Sequence, residues 1–304
     1  MKLLKLLWAK IYSVKYYALL FIASFILFLN ASFPGENVAR LILNSFGNQT
    51  GITISPEEPT ISFFPSAGIK FDSAKVKIQN FPYGFNLGRT SIGFSLWSLL
   101  IFSPSLSINS DSFQGNVKVR ISGLPLSASR KVDELYINLA GDNVQIRDFI
   151  KAVLPLDMDS KVDIIVDGVV NMINPIYSDL NVNVEFDGIN VKETSLMGFN
   201  LPTLSLKKAS LVTTLKKNEV NITKLNIGGS SEELDLSVKG KVSMKANNAY
   251  DLTMRLKIAG QVEAQFGQFL VLLPPQTKKT DGSYNFRIKG DTKTPIPQIT
   301  PATQ

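Results

Sequence analysis

Tyr250-Asp-Leu-Thr-Met-Arg-Leu-Lys-Ile258 alternates without a break: Tyr250, Leu252, Met254, Leu256 and Ile258 are apolar, and the residues between them are polar. Successive side chains of a β-strand point to opposite faces, so the stretch reads as a strand with one dry and one wet face. Its neighbours repeat the pattern. Gly115-Asn-Val-Lys-Val-Arg-Ile121, Glu134-Leu-Tyr-Ile-Asn-Leu139, Lys161-Val-Asp-Ile-Ile-Val166 and Asn181-Val-Asn-Val-Glu-Phe186 precede it. Val220-Asn-Ile-Thr-Lys-Leu-Asn-Ile227, Leu234-Asp-Leu-Ser-Val-Lys239 and Ser283-Tyr-Asn-Phe-Arg-Ile288 complete the series. A parallel sheet covered on both sides would show continuous apolar runs and a helix after almost every strand. Neither is present. The expected fold is therefore mainly β: a large, curled, mostly antiparallel sheet of about nine to twelve strands with a few short amphipathic helices.

Outward from this series, two segments change period. Ile146, Phe149, Ile150, Val153 and Leu154 share one face of a helix over 144–154, closed by Pro155. Val262, Phe266, Phe269, Leu270 and Leu273 do the same before Pro274-Pro275. The text around the two helices is similar, which suggests a diverged repeat of strand, strand, helix, strand over 111–168 and 236–290. Upstream, alternation begins at Ile52-Thr-Ile54 and continues through Thr60-Ile-Ser-Phe-Phe64, Ile69–Ile78 and Thr90-Ser-Ile-Gly-Phe-Ser-Leu96. Trp97-Ser-Leu-Leu-Ile-Phe102 fits a helical turn or a buried strand equally. Residues 292–304 hold three prolines and few apolar residues and read as a loose tail.

The N-terminal part has a different character. Residues 16–35 carry no charge, and Tyr16, Leu19, Phe21, Ile22, Phe25, Ile26, Phe28 and Leu29 give the run its apolar bulk. A helix rises about 1.5 Å per residue, so the run is long enough for a hydrocarbon core of about 30 Å. Lys2, Lys5, Lys10 and Lys15 precede it with no acid among them, the pattern of a cytoplasmic N-terminus. Residues 1–33 are expected to be a basic leader and a single transmembrane anchor. A cleaved signal peptide is the rival, weakened by the poor exit at Leu29-Asn30-Ala31-Ser32. Residues 34–291 would then form the β-rich domain beyond the membrane. Its first element is an amphipathic helix from Pro34 to Gly47, in which Val38, Leu41, Ile42 and Phe46 share a face. Such a helix either lies in the lipid interface or covers the end of a sheet.

Composition narrows the chemistry. The chain of 304 residues has a net charge of +7, from 32 basic and 25 acidic residues, and four of those charges belong to the leader. No basic stripe remains to bind nucleic acid. Absence of His and Cys excludes Ser-His-Asp and Cys-His catalysis and removes disulfides. Asp157, Asp159, Asp163 and Asp167 invite a calcium or paired-carboxylate reading, but a calcium loop needs denser ligands and a central glycine. A solvated sheet face explains them better. Gly228-Gly-Ser-Ser-Glu232 reads as a hairpin turn, not a phosphate loop, because no helix follows. No catalytic residue, metal ligand or cofactor is expected.

The layout resembles a known family. A basic leader, one span and the Phe33-Pro34 exit are followed by an amphipathic helix and Phe63-Phe64-Pro65-Ser66-Ala67-Gly68-Ile69-Lys70-Phe71. This is similar to protein N of the type II secretion system (general secretion pathway protein N). Phe94-Ser-Leu-Trp-Ser-Leu-Leu100 and Gly198-Phe-Asn-Leu-Pro-Thr-Leu204 also look like the AsmA-like envelope proteins. The first resemblance implies a non-enzymatic component of the secretion machinery in the bacterial inner membrane, with a periplasmic domain that contacts other machinery proteins. The second implies that an apolar groove binds or transfers phospholipid. A third reading, a periplasmic enzyme, would need a concave site of converging carboxylates.

Overall fold

The structure is a computed structural model. It describes residues 16–17, 20–21, 24–25, 27–28, 34–50, 52–62, 67–78, 84–94, 105–123, 134–147, 150, 157–171, 173–174, 177–192, 194–196, 199–201, 203–244, 248–271, 273–291 and 297–302. The chain divides into two units, Met1–Ile101 and Phe102–Gln304. The sequence reading placed 34–291 in one domain.

In the first unit, Tyr16, Tyr17, Leu20, Phe21, Ser24, Phe25, Leu27 and Phe28 are helical and exposed, with the rings of Phe21 and Phe25 stacked at 6.2 Å. Leu19, Ile22, Ile26 and Leu29 of the expected anchor, and Lys2, Lys5, Lys10 and Lys15 of its flank, lie outside the described residues. Among the described residues no helix is long and apolar enough to cross a membrane.

Helix α1 (Gly35–Thr50) follows Pro34, whose fixed φ suits a helix start, and Val38 N–H donates to the Pro34 carbonyl at 3.3 Å. It runs past Gly47, where the sequence reading ended it. Six strands follow: β1 (Ile52–Glu57), β2 (Thr60–Ser62), β3 (Ala67–Phe71), β4 (Ser73–Ile78), β5 (Phe85–Leu87) and β6 (Thr90–Phe94). They pair antiparallel in the orders β1-β4-β5 and β2-β3-β6. Ala39 and Leu43 of α1 pack with Ile69, Phe71 and Ala74 to form this unit's core. The face named from the sequence is therefore not the one on the sheet. Val38 is half-buried, Leu41 and Ile42 are exposed, and the side chain of Phe46 lies outside the described residues.

The second unit is an uninterrupted antiparallel series. Its strands are β7 (Ser105–Ser112), β8 (Gly115–Ser122), β9 (Glu134–Gln145), β10 (Met158–Asn171), β11 (Asp179–Val191), β12 (Thr194–Leu196), β13 (Phe199–Leu201), β14 (Leu204–Lys216), β15 (Glu219–Gly228), β16 (Leu234–Ser243), β17 (Tyr250–Ile258), β18 (Tyr284–Gly290) and β19 (Gln298–Pro301). The spatial order is β7-β8-β9-β10-β11-β14-β15-β16-β17-β18-β19, and β12-β13 is a separate hairpin between β11 and β14. Sequential neighbours pair because a short turn can join antiparallel strands directly. The fold is thus mainly β, with a large antiparallel sheet and few helices.

Two corrections concern the ends of elements. The segment read as a loose tail contributes β19, which pairs with β18 from Lys289↔Gln298 to Phe286↔Pro301. Pro301 lacks a donor, yet a strand at a sheet edge tolerates proline, so the composition misled. Val144, assigned to a helix, is a buried residue of β9; helical residues begin at Arg147, and Ile150 N–H bonds the Ile146 carbonyl at 3.0 Å. Helix α2 (Gly260–Leu270) lies between β17 and β18 and buries Val262. The order β8, β9, helical turn, β10 recurs as β16, β17, α2, β18.

Candidate functional site

The register of the second unit arranges its apolar side chains in rows that cross the strands. One row runs Val117–Gly141–Ile164–Val184–Leu211–Leu225–Val238–Met254–Phe286–Pro301, and Ser110 ends it on β7. The next runs Ile108–Val119–Leu139–Val166–Val182–Thr213–Ile222–Gly240–Leu252–Ile288–Ile299. A third begins Leu106–Ile121–Ile137–Gly168–Leu180 and ends Val242–Tyr250–Gly290. A fourth begins Val144–Val162–Phe186–Ala209 and ends Leu256–Tyr284. Strands are spaced about 4.8 Å apart and same-face residues about 6.6 Å along a strand. The grid is therefore about 48 Å long and about 20 Å wide before twist.

An ordinary core would bury these side chains. Here Val117, Ile164, Val184, Leu211, Leu225 and Met254 of the first row stay half-buried, as does every side chain of the second row from Ile108 to Ile299. Within the first row only Val238, Phe286 and Ser110 are buried side chains. Full burial is concentrated at one end of the strands. There Ile189, Leu206 and Ala209 pack with Met158, Phe186, Val191, Leu204, Ile227 and Leu234. The chain enters both helical segments from that same end, after Gln145 of β9 and Ile258 of β17. The rest of the grid lacks a covering layer among the described residues.

The opposite face is mainly polar, with Ile165 the exposed apolar exception, and its charges are matched by neighbouring strands and turns. Lys241 pairs with Glu219 at 2.8 Å, Arg255 with Asp281 at 3.1 Å and Lys289 with Asp251 at 3.4 Å. The four aspartates singled out from the sequence belong to this pattern. Asp157 pairs with Arg147 at 3.0 Å and Lys192 at 3.7 Å, and Asp159 accepts from Gln145 Nε2 at 3.0 Å. Asp163 accepts the Asn143 N–H at 2.7 Å, while Asp167 accepts from the Tyr136 hydroxyl and from Asn138 Nδ2 at 3.1 Å. Those two bonds, the tyrosine's first, hold the Asp167 carboxyl below its ordinary range, and the same contact raises the Tyr136 hydroxyl. Among the described residues no group of acids is arranged to hold a metal ion.

A concavity of about 460 Å³ on this polar side is lined by Asp163, Glu185 and Asp187 together with Lys161, Lys208 and Lys224. The register sets Asp187 between Lys161 and Lys208. All six side chains are exposed, so water reaches every carboxylate, and nothing there excludes solvent from a reacting group. A balanced, wet ladder of charges keeps a sheet face soluble.

No family model, curated protein or solved structure matches this chain. Geometry alone indicates what the molecule can do. A half-covered apolar grid gains about 25 cal/mol for each Å² of apolar surface removed from water, so any long apolar ligand that lies on it is held without specific polar contacts. The described members of the secretion-like motif do not form a comparable surface. Ile69 and Phe71 are buried in β3, and a Cβ on Gly68 would stand 2.2 Å from the Ile92 carbonyl oxygen. Phe63, Phe64, Pro65 and Ser66 lie outside the described residues.

Sequence reasoning missed β7 and β14, which contribute Ile108, Leu211 and Leu215 to the grid. The alternation Leu106-Ser-Ile108 and the spacing Leu211-Val-Thr-Thr-Leu215 were available signals.

Proposed function

We propose that this chain is an envelope lipid-binding protein, anchored in the inner membrane by its N-terminal uncharged run, whose periplasmic sheet holds phospholipid acyl chains along its apolar grid. The observation that carries the reading is the half-burial of the whole row from Ile108 to Ile299 and of Val117, Ile164, Val184, Leu211, Leu225 and Met254 in the row beside it, on a sheet whose other face is mainly polar. A bilayer's hydrocarbon core is about 30 Å thick and contains two chains end to end, so one acyl chain takes about 15 Å. A row of about 48 Å accommodates several chains in line. The reading includes curling of the sheet toward its apolar side. Register shifts at Asp159/Lys161, Val162/Ile164, Val212/Thr213 and Ile222/Leu225 supply points of bending, because a bulge bends its strand and raises local twist. The function is binding or transfer, and no chemical step is assigned.

Native mass spectrometry of the protein extracted from membranes tests this. Adducts with phospholipid masses are expected; a chain that carries none, when extracted in a mild detergent, contradicts it. The secretion-machinery role rests on the sequence resemblance alone. Its own test is co-purification with other secretion components, and recovery of the chain by itself would count against it.

A further inference from the structure

Helix α1 has three faces. Ala39 and Leu43 are buried against the sheet. Glu36, Asn37, Arg40 and Asn44 form an exposed polar flank, with Arg40 Nη2 2.9 Å from Glu36 Oε1. Beside the buried face, at about 100° per residue, Val38, Leu41, Ile42 and Ser45 cover an arc of about 100°, in which Val38 is half-buried and the other three are exposed. Leu41 is 68% exposed and Ile42 51% exposed. A surface helix ordinarily turns one apolar stripe to the core. This one carries a second stripe, in which Leu41 and Ile42 stay exposed among the described residues.

The position of that stripe in the chain indicates its occupant. The uncharged run 16–35 ends on the first residue of α1. If the run crosses the bilayer, α1 begins at the membrane surface, and its 16 residues extend about 24 Å from that point. A helix with an apolar arc beside a charged flank is suited to lie in the plane of the interface, with apolar side chains among the acyl carbons and polar ones toward water. The Glu36–Arg40 pair neutralises the flank, so no net charge opposes contact with lipid.

We infer that α1 is a wedge between sheet and bilayer, with Ala39 and Leu43 gripping the sheet while Leu41 and Ile42 sit in the lipid interface. The inference rests on the anchored reading above and adds a second, peripheral contact that fixes the first unit against the membrane surface.

The chain has no cysteine, so single-cysteine variants need no background removal. Nitroxide labels on L41C, I42C, N44C and N248C are read in the full chain, in nanodiscs of phosphatidylethanolamine and phosphatidylglycerol. Collision with a water-soluble nickel chelate is expected to fall several-fold at positions 41 and 42 relative to 44 and 248, while collision with oxygen rises. Equal nickel access at all four positions overturns the inference alone. Shielding from nickel without oxygen enrichment also overturns it, because a protein surface then covers the stripe. A chain that never enters the nanodisc overturns the anchored reading and this inference together.

Discussion

Gly168 approaches the backbone of Asp179 so closely that a Cβ at residue 168 would stand 2.0 Å from the Asp179 carbonyl oxygen, at a φ of +149°. The residue belongs to the third apolar row, paired with Ile137 and Leu180. Gly240 repeats the arrangement against the Asp251 carbonyl oxygen, at 2.1 Å and a φ of +146°. At both places the neighbouring backbone occupies the space that any side chain would need.

Gly168→Ala is therefore expected to destabilise the second unit by about 3 kcal/mol or more, since backbone strain of about 1–3 kcal/mol adds to a direct clash. Gly188 is the control. Its φ is +67° but a Cβ there meets nothing within 4 Å, so Gly188→Ala costs only the left-handed strain of about 1–2 kcal/mol. Urea midpoints at constant slope measure both. Equal losses would show that the close approach is not what matters at Gly168.

The two sides of α1 differ in the same testable way. Leu43 is 4% exposed within the core of the first unit, and Leu43→Ala is expected to cost about 2–5 kcal/mol. Leu41→Ala, at an exposed position, is expected to change stability in detergent solution by less than about 0.5 kcal/mol. A similar loss at both positions would place Leu41 in the core.

Much of this was legible in the sequence, and the rest was not for physical reasons. Alternation in Tyr250–Ile258 fixed both the strand and its wet and dry sides, because period two needs no tertiary information. β14 was not legible, because Lys207 and Lys208 interrupt the alternation between Leu206 and Ala209. Its partner accommodates the change at Gly188, where φ is positive. Rows such as Ile164–Val184–Leu211 depend on register, which is set by pairing and turns and is not encoded in any one strand. For α1, helical spacing marked Val38, Leu41, Ile42 and Phe46, yet the small Ala39 and Leu43 are the residues buried in the core. Periodicity weights bulk, whereas close packing onto β-strands favours a small side chain.

The turn at Asp281 makes stability depend on pH. Ser283 Oγ donates to Asp281 Oδ1 at 2.6 Å, Ser283 N–H donates to the same oxygen at 3.0 Å, and Arg255 is 3.1 Å from Oδ2. These contacts, the serine hydroxyl's first, hold the Asp281 carboxyl far below the usual carboxylate range. A carboxyl with a depressed folded pKa contributes stability in full above its unfolded value of about 3.9, and the contribution is lost as pH falls through the folded value. Ser283→Ala should therefore lower the urea midpoint at pH 7, and the gap from the parent chain should narrow as pH falls below about 4. A gap independent of pH would mean that the serine acts by packing alone, since its side chain is only 1% exposed.

The most direct measurement of the central claim compares adjacent residues on opposite faces. Leu211 and Val184 lie in the half-buried apolar row; Ser210 and Glu185 are their neighbours on the polar face. A photoreactive benzoylphenylalanine is placed at each of the four positions in turn, in cells whose phospholipids carry a radiolabel. Lipid adducts at 184 and 211, with few or none at 185 and 210, are the result expected if acyl chains lie on the grid. Equal labelling of the two faces, or no lipid adduct at 184 and 211, would contradict the account.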